Sequence, residues 1–278
     1  MGADAEIFLF DYERYRDKVV PALTELLRTG TVVPWLGDVF ESATPIGEYG
    51  YDVTWPRLAA QLHERPVDLA RHRTWLGSDL RYVGEQRPQR SLGHQLSCPP
   101  AGCPEGEWCR LHLDGEPHAV EELNALHEAL VALHCLGPAQ FLGRSVTPDF
   151  YLPVLDSQGV AAEDPLRSLL TALATRGAAL GYQFGVTEGT HGWLDLPETA
   201  ELAVRLDRLD LPRYEPTLAA MSDHAKRGGF TAGEWRETSL SFVRTMATIA
   251  AGEGRAVLWG NDVSPRTWRE TLGAVTSP

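Results

Sequence analysis

Three of the chain's four cysteines lie in one short segment, Cys98-x4-Cys103-x5-Cys109-x2-His112. A structural zinc site needs four thiolate or imidazole ligands in a tetrahedron, and these usually come from a loop that turns back on itself. The prolines and glycines of residues 99–106 supply such turns. Cys109 and His112 are close enough in sequence to bind one ion together. The pattern therefore predicts a zinc site formed by Cys98, Cys103, Cys109 and His112.

Other uses of this segment stay open. An iron–sulfur cluster normally takes four cysteines, so Cys135 would have to complete it. A disulfide is disfavoured in a reducing compartment, and unligated thiols in a loop are the simplest alternative. His94 and His118 flank the segment and are substitute ligands if His112 is not used. Because all four zinc ligands come from the protein, the predicted site is closed and structural rather than catalytic.

Glu188 and His191, in the segment GVTEGTHGW, are the candidate catalytic pair. The glycines around them predict a loop that follows a strand, and such loops often form the walls of binding sites. A carboxylate near an imidazole can serve as an acid/base pair. An ordinary turn explains the same residues, so the pair is a hypothesis for an enzymatic site.

Two further histidines, His127 and His134, lie seven residues apart in the helix predicted over 120–136. Seven residues correspond to about 10 Å of helix rise, which is too far for both imidazoles to bind one ion. We interpret them as histidines at the core or its boundary. Cys135 follows an apolar run and is interpreted as a small buried hydrophobic residue.

Caps and apolar spacing predict the elements that position these residues. The short apolar run of residues 6–10 ends at Asp11, which can cap a helix predicted over 12–28. The segments DPLRSLL and DLPETAEL each place Asp just before the Pro of a predicted helix start. The segment TSLSFVRTMATIAAGEG predicts a long helix that ends at Gly252, before a strand over 255–259.

Strands and helices alternate irregularly in this prediction, which favours an α+β fold with a mixed sheet and packed helices. Glycine and proline dominate residues 84–117, where no periodicity survives, so a boundary or an inserted loop is expected there. We predict an N-terminal α/β segment over 1–93 and an inserted Cys/His metal-binding loop over 94–118. A C-terminal α+β region over 119–278 follows, either as a separate domain or as one domain with 1–93.

The C-terminal part resembles a known group of domains. GWLDLPETAELAVRLDRL followed by LSFVRTMATIAAGEGRAVLWGND, within residues 180–262, is similar to YfbM-like bacterial domains of unknown function. The shared features are a Pro-Glu helix after an aromatic strand, and a long helix that runs into an edge strand. The resemblance implies an α+β binding or immunity-like module without an established activity. It implies no site residues, and the cysteine segment has no counterpart in it.

Composition narrows the class of protein. A formal net charge of -13 argues against sequence-independent binding of nucleic acid, which relies on Lys and Arg. No apolar run approaches the roughly 18 residues of a membrane-spanning helix, and the N-terminus lacks the basic start of a secretion signal. We therefore expect a soluble cytoplasmic protein. Arginine supplies every positive charge except those of Lys18 and Lys226, which indicates a GC-rich bacterial genome.

These features together predict a bacterial binding or regulatory protein, immunity-like, with a structural zinc site and a protein partner. Its acidic charge would steer it towards a basic partner. One alternative is an enzyme of bacterial specialised metabolism that acts on a small-molecule substrate, with acid/base residues near Glu188 and His191. Another is an iron–sulfur redox or sensor protein.

Overall fold

The structure, a computed structural model, describes residues 4–19, 21–22, 25, 31–37, 130–132, 134–144, 146–175, 189–261 and 263. The chain divides into two compact units. The first unit consists of Met1–Tyr12, Leu136–Gly177 and Gln183–Val263. The second consists of Glu13–Cys135, Ala178–Tyr182 and Ser264–Pro278.

Four strands form the sheet of the first unit: β1 (Asp4–Phe10), β2 (Leu136–Arg144), β3 (Gly189–Trp193) and β4 (Ala256–Asn261). Their order is β2-β1-β4-β3, and all three pairings between described strands are antiparallel. The central pair, β1 and β4, runs without a break in register. Every residue of β4 is buried, which explains why its sequence is a continuous apolar run rather than an alternating one.

The described helices are α1 (Tyr12–Arg14), α2 (Leu152–Ser157), α3 (Pro165–Thr175), α4 (Leu196–Asp207), α5 (Leu218–Lys226) and α6 (Ala232–Gly252). A π-helix, Tyr15–Val19, continues α1, and a 3-10 turn, Pro148–Tyr151, leads into α2. Helix α6 lies across β1, β2 and β4, and α4 packs on α6. One face of the sheet and these helices thus enclose the core of the first unit.

Side-chain caps set where α3, α4 and α6 begin. The carboxylate of Asp164 accepts a hydrogen bond from the Leu166 N–H at 2.8 Å. Asp195 forms a reciprocal capping box with Glu198 at the start of α4, with both N–H···O distances at 2.9 Å. Thr231 begins α6 in the same way. Each cap satisfies N–H groups that the helix itself leaves without partners.

The core of the first unit is rich in large apolar side chains. Burying such a side chain contributes about 1.5–3 kcal/mol, so the set as a whole is the main stabilising term of the first unit. The largest fully buried members of this core are Ile7, Tyr151, Phe242 and Trp259.

A β-bulge in β2 ties the sheet to α6. Ala5 faces Gly143 and Glu6 faces Phe141, so Leu142 has no partner across the ladder. Its carbonyl turns to α6 and accepts hydrogen bonds from Trp235 Nε1 and Ser239 Oγ, each at 2.9 Å.

The Tyr151 hydroxyl extends this network. It lies 2.7 Å from Ser239 Oγ and donates to it, because the Ser239 hydrogen is directed to the Leu142 carbonyl. Burial raises the pKa of Tyr151 well above its usual value, while the Ser239 hydrogen bond lowers it. The hydroxyl therefore stays protonated and bridges the 3-10 turn to α6.

The structure confirms the α+β class and the two helix starts predicted after Asp164 and Asp195. The long C-terminal helix ends at Gly252 as predicted but begins at Ala232, before the segment that predicted it. Its described pairings are all antiparallel, so the parallel pairing that a mixed sheet requires is not among them. The helix expected over 120–136 ends earlier, because Leu136 pairs with Phe10 as the start of β2. The predicted boundaries near residues 93 and 118 lie outside the described residues. Among the helices that are described, none is long and apolar enough to cross a membrane.

Candidate functional site

Helix α5 is attached to the first unit by few side chains. Met221 is the one fully buried residue of this helix, and Leu218 and Ala225 are partly buried against the same core. The Thr217 hydroxyl begins the helix by accepting a hydrogen bond from the Ala220 N–H at 3.2 Å. Most of the surface of α5 therefore lies outside the core.

An aromatic cluster holds α5 against α6. The His224 and Tyr214 rings contact each other at a tilt of 44° with centroids 4.5 Å apart, and Tyr214 Oη lies 3.2 Å from His224 Nε2. Phe242 of α6 lies 5.4 Å from Tyr214, and Trp235 lies 5.4 Å from Phe230. Aromatic pairs at such distances add stability beyond the burial of their area. The cluster thus fixes the position of α5 and of the residues just before it.

A carbonyl clamp, formed by Arg244 and Ser241, holds the chain that precedes α5. Arg244 Nη2 donates to the Pro212 carbonyl at 2.6 Å, and the Ser241 hydroxyl donates to the same oxygen. Arg244 is only 5% exposed, and its pKa is lowered mainly by this burial. Hydrogen bonds from a guanidinium are stronger than neutral ones, so the clamp fixes the Pro212 carbonyl to α6.

Between this clamped segment and α5 lies a cavity of about 640 Å³, which we call the α5 trough. Residues 213–215 form one wall. The other wall is the stripe of α5 that carries Thr217, Ala220, His224 and Arg227, which are three or four residues apart and so share a face. The trough therefore runs along the whole length of the helix.

Charged residues in the trough differ in whether they are paired. Arg213 forms an ion pair with Asp207 at 2.7 Å, and Asp223 lies 3.6 Å from the Lys226 ammonium. These exposed pairs contribute little to stability but neutralise both partners locally.

Glu215 and Arg227 have no ion-pair partner within 4.0 Å in the part of the chain that the structure describes. Glu215 precedes the N-terminus of α5, and Arg227 is its C-cap. Burial, and then the charge of Arg227, lower the pKa of His224 below its usual value of 6.5, so this imidazole is neutral at pH 7. The trough thus has one unpaired anion and one unpaired cation at its two ends.

A second cavity, of about 590 Å³, lies on the other side of α5 and is called the β2 groove. Its walls are residues 139–141 of β2 and the face of α5 that carries Leu218, Ser222 and Ala225. Phe141 is 37% exposed, which is high for a ring of this size. Helix α5 thus has an open cavity along each of its sides.

The structure places His191 in β3, where its side chain is 5% exposed. The expectation of a loop is wrong for residues 189–193, which form the strand. Gly192 is needed there for packing, because a Cβ atom at this position would lie 2.2 Å from the carbonyl oxygen of Ala172 in α3. Glu188 lies outside the described residues, so the acid/base pair stays a prediction.

The predicted zinc ligands Cys98, Cys103, Cys109 and His112 lie outside the described residues, as do the substitutes His94 and His118. Within the described ranges, no group of three or more His, Cys, Asp and Glu side chains could hold a metal ion. The zinc site and its iron–sulfur alternative therefore stay predictions.

In the second unit, Trp35 contacts Lys18 and His134. The Lys18 ammonium is 4.8 Å from the centroid of the Trp35 ring, and the His134 ring is 5.2 Å from it on edge. Burial, followed by the charges of Lys18 and Arg14, lowers the pKa of His134 to about 4. His134 is therefore a neutral packing residue at pH 7. Cys135 is 2% exposed and confirms the prediction of a buried small residue.

Helix α5 and both of its cavities are absent from the sequence-based prediction. The signals were present: Thr217 as a cap, Lys226 and Arg227 at the end, and glycines after it. Gly228 and Gly229 have φ angles of 64° and 79°, a conformation that ends helices and favours glycine.

The chain was compared with family models, with curated proteins and with solved structures, and none of them matches it. Its function must therefore be inferred from the geometry of its own surface.

Proposed function

We propose that the chain is an immunity-like bacterial binding protein that recognises a protein partner through the surface around α5. The observation that carries the proposal is that α5 borders an open cavity on each side while it buries only Met221. A helix with two accessible sides offers a partner a continuous surface, whereas enzyme sites more often occupy one enclosed cleft. The resemblance of residues 180–262 to YfbM-like domains agrees with this proposal and stays a prediction.

The charge of the first unit supports a basic partner, in line with the formal net charge of -13. Its exposed Lys and Arg in the described residues are Arg144, Arg208, Arg213, Lys226 and Arg227. Exposed carboxylates clearly outnumber them: Asp149, Asp156, Glu163, Glu201, Asp207, Asp210, Glu215, Asp223, Glu234, Glu237 and Glu253. An acidic surface of this kind raises the association rate with a basic protein and makes that rate sensitive to salt.

The test uses the full chain and the purified products of the genes adjacent to its own. We expect one of these proteins, with a basic surface, to bind the chain directly in calorimetry. Its association rate should fall by at least about tenfold between low and high salt, because the encounter is steered by charge. Turnover of a small molecule by the chain, with no such partner, would instead support the enzymatic alternative.

Zinc binding by Cys98, Cys103, Cys109 and His112 is proposed as the structural part of this function. Four protein ligands would close the site and order the loop around it. Metal analysis of the purified chain should find zinc, and Cys103→Ser should lower both the zinc content and the melting temperature. A brown protein that contains iron would show that the cluster alternative is right, and a metal-free protein would contradict both.

A further inference from the structure

We infer that the α5 trough binds an extended segment of the partner, one that carries a basic and an acidic side chain about four residues apart. This inference rests on the proposed function and names the site and the ligand for it. Three features of the trough support it: its length, the placement of its charges and the rigidity of its walls.

The length of the trough matches a short peptide. From Thr217 to Arg227 the helix and its caps advance about 15 Å, at a rise of about 1.5 Å per residue. An extended chain covers this distance in about five residues, at about 3.3 Å each. Ala219 and Ala220 carry only methyl groups, and this leaves the room for a backbone beside the helix.

The charges of the trough select the ends of the segment. Glu215 at one end and Arg227 at the other are exposed, while the remaining charged side chains of the trough already have partners. A basic side chain near Glu215 and an acidic one near Arg227 would pair both at once. Two opposite charges separated by the length of α5 favour an extended segment over a compact small molecule.

The walls are organised before binding. The carbonyl clamp fixes the backbone before Arg213, and the contact between the His224 and Tyr214 rings fixes the positions of both rings in the trough. Binding to a preformed surface avoids the entropic cost of ordering loops. Tyr214 and His224 are only partly buried, so their rings remain available to the middle of a bound segment.

The experiment measures binding of blocked pentapeptides to the full chain by NMR titration, since acetyl and amide ends remove the terminal charges. The probes are Lys-Ala-Ala-Ala-Asp, its reverse order, and peptides with two Lys or two Asp at the same positions. We expect one or both of the opposite-charge peptides to bind about two- to fivefold more tightly than the like-charge peptides, as for exposed ion pairs. Equal affinities, or no binding by any peptide, would overturn the inference.

Two variants test the placement of the peptide. Arg227→Glu makes both ends of the trough acidic, so the preference should change to the peptide with two lysines. Ala220→Trp fills the trough and should lower the affinity for the tightest-binding peptide by at least about tenfold, which is the loss typical of a binding site whose main contact is removed. Ala200→Trp, at an exposed position of α4, is the matched control and should bind as the wild type does.

A preference that survives Arg227→Glu would overturn the inference even if Ala220→Trp fails to fold. The proposed function is tested separately with the whole partner. A partner that binds Ala220→Trp as tightly as it binds the wild type would leave the proposed function intact and exclude the trough as its site.

Discussion

Helices α5 and α6 both begin at a threonine cap but relate differently to the core. Helix α6 has 21 residues and buries a continuous stretch from Thr238 to Ala247. Helix α5 has nine residues and buries only Met221. Helices shorter than about 12 residues are marginal in water, so α5 depends on tertiary contacts for its existence. Helix α6 is thus the scaffold, and α5 is the element that it presents.

The largest expected effect is on the scaffold. Phe242→Ala removes a buried ring that contacts Tyr214, His224 and Trp235, and should destabilise the protein by about 3–5 kcal/mol. Thermal unfolding followed by circular dichroism measures this loss. Val204→Ala, at a position that is 56% exposed, is the control and should change stability by less than about 0.5 kcal/mol. A loss confined to α5 would contradict the assignment of Phe242 to the scaffold.

Met221→Ala should cost about 2–4 kcal/mol, but chiefly by releasing α5. The residue is fully buried and is the main apolar anchor of that helix. Hydrogen exchange should show faster exchange of the α5 amides while those of α6 remain protected. Equal acceleration in both helices would show that α5 and α6 open as one unit.

Ser239→Ala should destabilise the protein by about 1–3 kcal/mol, because it leaves the buried Tyr151 hydroxyl without its acceptor. The double variant Tyr151→Phe with Ser239→Ala removes that unpaired group and should recover part of the loss. Chemical denaturation of the single and double variants measures both effects. If the double variant loses as much stability as the two single variants lose together, or more, this account of the network is refuted.

The two threonine caps offer a matched pair of smaller changes. Thr231→Ala should lower the stability of the first unit by about 1 kcal/mol, since α6 carries its core. Thr217→Ala should instead appear as faster hydrogen exchange within α5, with little change in the melting temperature. Identical changes in melting temperature for both variants would remove the distinction between the two helices.

The smallest expected effect is a pH dependence confined to α5. Because the folded state lowers the pKa of His224, its contribution to stability is complete above about pH 6.5. It is lost as the pH falls through the lower folded pKa, because burial, and then the charge of Arg227, disfavour the protonated ring. Acidification should thus weaken the protection of α5 amides relative to those of α6. His224→Gln should abolish that difference, and its persistence would assign the effect to another group.

Local signals predicted part of this fold and missed the rest for physical reasons. Helices α4 and α6 were predictable because their caps or their apolar spacing are visible in short stretches of the sequence. Helix α5 is short, rich in alanine and polar residues, and has a weak apolar pattern. The glycines around His191 predict a loop, whereas Gly192 lies in β3 and allows the close approach of α3. That approach depends on tertiary packing and leaves no trace in local sequence.

The α5 trough was beyond sequence reasoning for the same cause. Its wall depends on a hydrogen bond between Arg244 and the Pro212 carbonyl, which are 32 residues apart in the chain. The contact between the Tyr214 and His224 rings joins two residues ten positions apart, and neither the segment of Tyr214 nor helix α5 was predicted. Such contacts arise only after the scaffold has formed.

The bulge at Leu142 has a consequence for how β2 tolerates changes in length. Deleting Leu142 would restore regular pairing with β1 at Ala5 and Glu6, which is favourable for strand pairing alone. It would also remove the carbonyl that Trp235 and Ser239 share and leave both donors of α6 without this acceptor. The extra residue therefore fixes the register of β2 on β1: this register can change only if the hydrogen bonds from α6 to the Leu142 carbonyl are broken.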